Sequence, residues 1–323
     1  MDAIIRTAFA LGIHALAVCT FIVTSLVRIL TPLVRTTDAR ESRDKGAPRA
    51  TPVESFESDI ASTDENHRHA DALERIRRAT SDHDKRIEKY RAYLSWREEY
   101  CMDSTLTTAK PYYEAVKKMY PHAFHKRSKG RHGSCVIQME KAGQFGTLLK
   151  GVRARGEEIG RWEDDPIQVV TEHVSFVMTY LFEALDTRRW PLGKTIRIVD
   201  MSRLGMDDIG LNVFGFLRVM SETSRRAFVE RIQKIYIVHP PTSFAVIYNA
   251  CKSMISDKTR KQIIVCETLD QFIANISKEV ELEDIPREYG GKCACVDCWR
   301  DDENERKILA LVASLNAVRE HEM

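Results

Sequence analysis

The feature that most restricts the fold is an alternation between strand and helix periodicity along the middle of the chain. Residues 134–139 (SCVIQM), 195–201 (TIRIVDM), 234–239 (KIYIVH) and 262–266 (QIIVC) are short runs rich in β-branched residues and bounded by turn signals such as Gly133 and the WPLG stretch at 190–193. Between them, apolar residues fall into a helical rhythm near 167–185, 211–228 and 244–255. The order β, α, β, α, β, α, β predicts an α/β domain on a mixed, largely parallel sheet.

Composition agrees with a globular chain. The 323 residues are 43% hydrophobic and 30% charged, with only 10 Pro and 15 Gly, which excludes collagen-like, mostly disordered and polytopic membrane classes. Lys plus Arg at 49 nearly cancel Asp plus Glu at 47, so no global field exists to hold a nucleic-acid backbone. The 8 Cys are scattered apart from one cluster, which argues against a disulfide scaffold and for a reducing compartment.

The two ends differ from the middle. Residues 7–27 carry no charge and lie between Arg6 and Arg28; as a helix they would span about 31 Å, one bilayer core. A cleaved signal is the alternative offered by Ala15-Leu16-Ala17, and an interfacial helix the one offered by His14, three Thr and Ser25. Arg28, Arg35, Arg40, Arg43, Lys45 and Arg49 follow the segment, a bias that keeps the C-terminal side in the cytosol. The expectation is a membrane-anchored chain with its domain in the cytosol, the endoplasmic reticulum or another endomembrane being the default. Residues 1–34 then form the hydrophobic anchor helix, 35–68 a disordered linker, 69–105 a helical module, 106–292 the main domain, and 293–323 a Cys-containing tail. In that tail Ile308, Leu311, Leu315 and Val318 mark an amphipathic helix able to dock on the domain or on a protein partner.

Residues 111–144 (PYYEAVKKMYPHAFHKRSKGRHGSCVIQMEKAGQ), 196–206 (IRIVDMSRLGM), 229–265 (VERIQKIYIVHPPTSFAVIYNACKSMISDKTRKQIIV) and 285–295 (IPREYGGKCAC) together resemble the CRAL-TRIO lipid-binding domain family. That family includes the yeast phosphatidylinositol-transfer protein and the α-tocopherol transfer protein. The helical stretch ending in Tyr93-Leu94-Ser95-Trp96-Arg97 is similar to the small module preceding the domain in that family, so the likeness covers roughly residues 70–298. It implies a sheet flooring an apolar cavity, closed by a gate helix that admits one lipid. The gate corresponds to 244–255, where Phe244, Ile247, Tyr248, Cys251 and Met254 recur at three- and four-residue steps and form the expected lipid-facing stripe. From the residues alone this stretch is equally an ordinary buried core helix.

In the phosphoinositide-binding members, an acidic residue, a Thr and a Lys engage the headgroup. Glu230 and Thr259 match the first two, while Gln262 stands where the Lys is expected, which removes part of the charge. For Glu230 a salt bridge to Arg225 or Arg226, and for Thr259 a cap, are the competing structural readings.

The search for covalent chemistry returns nothing: there is no GxxxxGK[ST], GxGxxG after a strand, GxSxG or HExxH, so the chain is not read as an enzyme and needs no cofactor beyond a bound lipid. Cys293-x-Cys295-x-x-Cys298 offers three thiolates, but neither a second CxxC nor a nearby His follows, so no metal is assigned. The pairs His67/His69 and His122/His125 lie on polar segments and are expected at the surface. The resulting expectation is binding, with transfer or presentation, of a single phospholipid or other hydrophobic ligand at a membrane. The alternative is a membrane-tethered adaptor using the same fold without transfer.

Overall fold

A computed structural model of the chain describes residues 65–128, 134–141, 145–202, 204, 211–242, 244–251 and 255–322. The chain divides into two compact units, Met1–Ser62 and Thr63–Met323, and the described residues belong to the second. It opens with helices α1 (Glu65–Ala79) and α2 (His83–Glu99), the second capped by Asp82, whose side chain accepts from the Lys85 amide at 3.1 Å. These are the helices expected over 69–101, with α1 beginning inside the expected linker.

The core elements follow in the order α3 (Tyr113–Met119), β1 (His122–Arg127), β2 (Val136–Lys141), α4 (Phe145–Glu158), α5 (Pro166–Tyr180), β3 (Thr195–Asp200), α6 (Leu211–Arg226), β4 (Ile232–Val238), α7 (Phe244–Cys251), α8 (Asp257–Gln262), β5 (Ile263–Cys266) and α9 (Leu269–Ile276). Helix α10 (Glu303–Glu322) closes the chain. The five strands lie side by side in chain order; β1 runs antiparallel to β2, and the rest are parallel. The mixed, largely parallel sheet is therefore present. Parallel strands need both faces covered. One face carries Ala123, Ile137, Met139, Ile198 and Tyr236 against Phe272 and Ile276 of α9. On the other, Phe124 and Val136 pack with Phe176 and Val177 of α5 and Ile308 and Val312 of α10.

Strand β1 is the strand the sequence pattern misses, as it misses helices α3, α4, α8 and α9. HAFHKR has no β-branched residue, and it holds its place at the sheet edge through carboxylates of α10 and the segment before it. The Phe124 amide donates to Glu305 Oε2 at 2.9 Å and the Lys126 amide to Asp302 Oδ2 at 3.2 Å. Side chains thus occupy hydrogen-bonding groups that an open edge would offer to another chain.

One expectation is corrected here. Among the described residues no helix is long and apolar enough to cross a membrane. Helix α10 has 20 residues but charges at both ends, which leave only 308–318 uncharged, and α5, apolar over most of its 15 residues, reaches only about 22 Å against a hydrocarbon core of about 30 Å. The segment 7–27 lies outside the described residues, and the membrane-anchored placement with an endomembrane default is withdrawn. The apolar face of α10 is also occupied within the chain: Ile308 and Val312 are in the core, and Leu311 and Leu315 pack on it. Of the two dockings expected for this helix, on the domain or on a protein partner, its described apolar residues take the first.

Candidate functional site

A cleft of about 290 Å³ lies where α1 and α2 meet the residues around β4's amino end. Its lining brings together Arg75, Arg97, Arg189 and Arg231 with only Asp71 and Glu183 as acidic residues. Arg75 reaches across from α1: Nε pairs with Asp71 Oδ2 at 2.7 Å, Nη2 donates to the Leu192 carbonyl at 2.6 Å, and Nη1 to the Glu230 carbonyl at 3.1 Å. Arg231 shares the same Asp71 oxygen at 2.7 Å and lies 4.4 Å above the Phe182 ring. Arg97 pairs with Glu183 at 2.7 Å. Burial and then the neighbouring Arg75 cation push the Arg231 guanidinium down to about 10. Arg97 also pairs with Asp103, and Arg231 donates to the Gly193 carbonyl, so four guanidinium groups face three carboxylates and leave one net positive charge at the cleft, a setting that favours an anionic oxygen.

Of the expected headgroup residues, Glu230 stands between the lining residues Val229 and Arg231, and Glu230, Thr259 and Gln262 all have partners within the protein. Glu230, in a left-handed backbone conformation (φ 59°), pairs through its carboxylate with Lys258 at 2.5 Å. Arg225 pairs instead with Glu222, and Arg226 with Glu99, so neither competing salt bridge forms. Thr259 sits in the first turn of α8, where the Ser256 hydroxyl accepts from its amide at 3.1 Å and lies 2.8 Å from its hydroxyl. Gln262 donates from Nε2 to the Ile232 carbonyl at 2.9 Å. Because β4 and β5 are parallel, Glu230 and Gln262 come to the same end of the sheet, with Thr259 just before Gln262 on α8. What sequence reasoning missed is the arginine set: Arg75 and Arg231 read as helix and strand-end surface charges, with no local pattern to mark them as buried.

On the expected gate, Phe244 and Tyr248 of α7 are half-buried and stack at 5.9 Å between ring centroids. The side chains of Ile247 and Cys251, and the whole of Met254, lie outside the described residues.

The sheet face beneath α5 and α6 departs from the expected oil-lined chamber. Among the described residues it holds a pocket of only about 20 Å³, lined in part by Tyr120, His122, Gln138, Glu140 and His173. Ligand cavities are usually about 300–1,000 Å³. The side chains of 211–217 on α6 lie outside the described residues. Glu140 pairs with Arg197 and accepts from the Tyr120 hydroxyl, while His122 and His173 place their Nε2 atoms 3.2 Å apart. Burial, then the Lys117 charge, holds His122 well below the usual imidazole range and His173 down to about 3, so both rings are neutral near pH 7. The surface placement expected for the histidines is corrected: His69, His122 and His125 are all buried. Both members of the second pair sit on β1, whose period of two sends His122 and His125 to opposite faces.

Residues 152–291 match the family model described as CRAL/TRIO domain. The chain carries a CRAL/TRIO domain. Its similar proteins include the Sec14 cytosolic factor of Schizosaccharomyces pombe, 22% identical over 62% of this chain and 66% of that protein. Another is the phosphatidylinositol/phosphatidylcholine transfer protein SFH11 of Arabidopsis thaliana, 24% identical over 69% of this chain and 57% of that protein. The chain therefore spans just under two thirds, or less, of the length of these relatives. Among solved structures it is similar to the crystal structure of Sfh5, at 14% identity and a TM-score of 0.49, covering 74% of this chain and 79% of that one.

The CRAL/TRIO match includes β3 to β5 and the Phe182 and Arg231 walls of the cleft, whereas Arg75 and Arg97 come from helices preceding it. It ends at Gly291, immediately before the cysteine cluster. There Cys293 is buried and Cys295 and Cys298 are partly exposed; all three are free thiols. Burial first, and then Cys293 beside them, raises the thiols of Cys295 and Cys298.

Proposed function

We propose that this chain binds a single phospholipid through its CRAL/TRIO domain and transfers or presents it between membranes, without covalent chemistry. The observation that carries the reading is the arginine-lined cleft at the amino end of β4, within and beside the family match. The names of two relatives, Sec14 cytosolic factor and phosphatidylinositol/phosphatidylcholine transfer protein, support a phospholipid as the ligand class. In this reading residues 106–292 are the lipid-binding domain, and the module at 69–105 contributes Arg75 and Arg97 to the polar end of the site. Glu230, Thr259 and Gln262 border the headgroup, with Lys258 providing the cation that Gln262 does not. Helix α7, with Phe244, Ile247, Tyr248 and Cys251, and Met254 after it, forms the apolar gate. An acyl chain moved from water into such a site gains about 0.8 kcal/mol per CH₂.

The test is transfer by the full chain of labelled phosphatidylinositol and phosphatidylcholine from donor to acceptor phosphatidylcholine vesicles. Accelerated transfer, weakened by Arg231→Gln, supports the reading. Transfer no faster than without protein, from a chain shown to be folded, rejects it.

A further inference from the structure

The cysteine cluster after the family match finds a fourth member far away in the sequence. One ligand atom each of His125, Cys293, Cys295 and Cys298 lies within 4.8 Å of every other. Zinc with Zn–S near 2.3 Å and Zn–N near 2.0 Å sets tetrahedral ligand edges of about 3.3–3.8 Å. The four atoms are thus gathered to within about an ångström of a tetrahedral set. They are too close together for an iron–sulfur cluster, whose ligands sit on different iron atoms.

His125 is the independent observation. It is fully buried, and its ring nitrogens have only weak protein partners, the Asp302 carboxylate and the Asp284 backbone, neither in good hydrogen-bond geometry. A buried imidazole left in this state is costly unless something binds it. Its Nδ1 is 3.4 Å from Asp302 Oδ2, the arrangement in which a carboxylate fixes the tautomer and orientation of a metal-ligating histidine. A proton on Nδ1 leaves the Nε2 lone pair free to donate. Asp302 is itself fixed by the amides of Lys126 at 3.2 Å and Asn304 at 2.9 Å.

The backbone also prepares the site. The β1–β2 register slips between His125 and Arg127, where Lys126 takes φ 44°, and a bulge of this kind re-aims the neighbouring side chain. On the other side the Cys295 amide donates to Cys293 Sγ at 3.4 Å, a contact that stabilises a thiolate.

We propose that His125, Cys293, Cys295 and Cys298 form a closed Cys3His zinc site that staples the segment after the CRAL/TRIO domain to edge strand β1. Four protein ligands leave no open position, so the site is structural rather than catalytic. Soft thiolates with one imidazole select zinc over magnesium or calcium. The inference does not depend on the lipid reading.

The test begins with the full chain purified under reducing conditions without chelator and assayed for metal by elemental analysis and native mass spectrometry. The expected result is about one zinc per chain, and, after removal of zinc, Co(II) titration giving the d–d bands of tetrahedral cobalt with thiolate charge transfer. His125→Gln should lose the tetrahedral spectrum or bind at least tenfold more weakly. Asp302→Asn, which keeps all four ligands, should retain the stoichiometry with about 10–100-fold lower affinity. Circular dichroism of each protein separates lost binding from lost folding. A folded wild-type chain with no bound metal and no cobalt spectrum overturns the proposal, as does an unaltered cobalt spectrum in folded His125→Gln.

Discussion

Lys258 holds its ammonium 2.5 Å from the Glu230 carboxylate, joining the first turn of α8 to the residue that precedes Arg231 on the wall of the cleft. The lysine is largely exposed and the glutamate largely buried, so the pair does more to balance charge beside the site than to stabilise the fold. Lys258→Ala should change unfolding free energy by less than about 1 kcal/mol, as expected for a pair open to solvent on one side. It should slow phosphatidylinositol transfer about fivefold, the equivalent of about 1 kcal/mol, because the uncompensated Glu230 repels an anionic headgroup. Vesicle transfer rates and urea denaturation of the same variant check both halves.

The gate reading requires the α7 stripe to remain apolar. Ile247→Asp and Met254→Asp should each lower lipid uptake by about tenfold, since a charge is costly where an acyl chain or membrane must be met. Lipid-to-protein ratio after incubation with phosphatidylcholine vesicles measures this. Unchanged uptake in both variants would remove the gate from the account.

Stability should fall with acid because buried imidazoles must stay neutral. His173 is held at about 3 when folded, against an ordinary unfolded value of about 6.5, mainly by burial and then by Lys117 and Lys110. Between those values the unfolded chain binds the extra proton, so stability is lost as pH drops from 6.5 towards 3. His122, 3.2 Å away and shifted in the same direction, adds to the effect. Urea midpoints at pH 7 and pH 5 should show the decrease, with a shallower dependence in His173→Gln.

Gly291 marks the close approach of two backbones. A Cβ there would collide with the Ile285 carbonyl, whereas at Gly160, with φ 70°, nothing lies within 4 Å of the added carbon. Gly291→Ala should therefore cost about 2–3 kcal/mol and Gly160→Ala only about 1 kcal/mol of backbone strain, measured by chemical denaturation.

Strands β2 to β5 and helices α5, α6 and α7 were legible, the strands because buried parallel strands are spelled as dense runs of Ile and Val, as in Thr195–Asp200, whereas α4 and α8 between them were not read. Strand β1 was not, since His122, Ala123 and His125 owe their burial to neighbours from α5, α10 and the cysteine segment rather than to intrinsic strand preference. The headgroup candidates rest on resemblance alone. Arg75 and Arg231 escaped because their burial depends on Asp71, Leu192 and Gly193 meeting across the fold, a tertiary fact with no periodic trace. The same reasoning applies to His125, which joins Cys293, Cys295 and Cys298 only once the chain returns to the sheet edge.

The claim that this chain carries a phospholipid is tested most directly by native mass spectrometry of the full chain purified from cells, followed by lipid extraction. The account predicts a one-to-one phospholipid adduct that exchanges when the protein is mixed with vesicles of phosphatidylcholine containing phosphatidylinositol. A folded chain that emerges with no lipid and acquires none from those vesicles would contradict it.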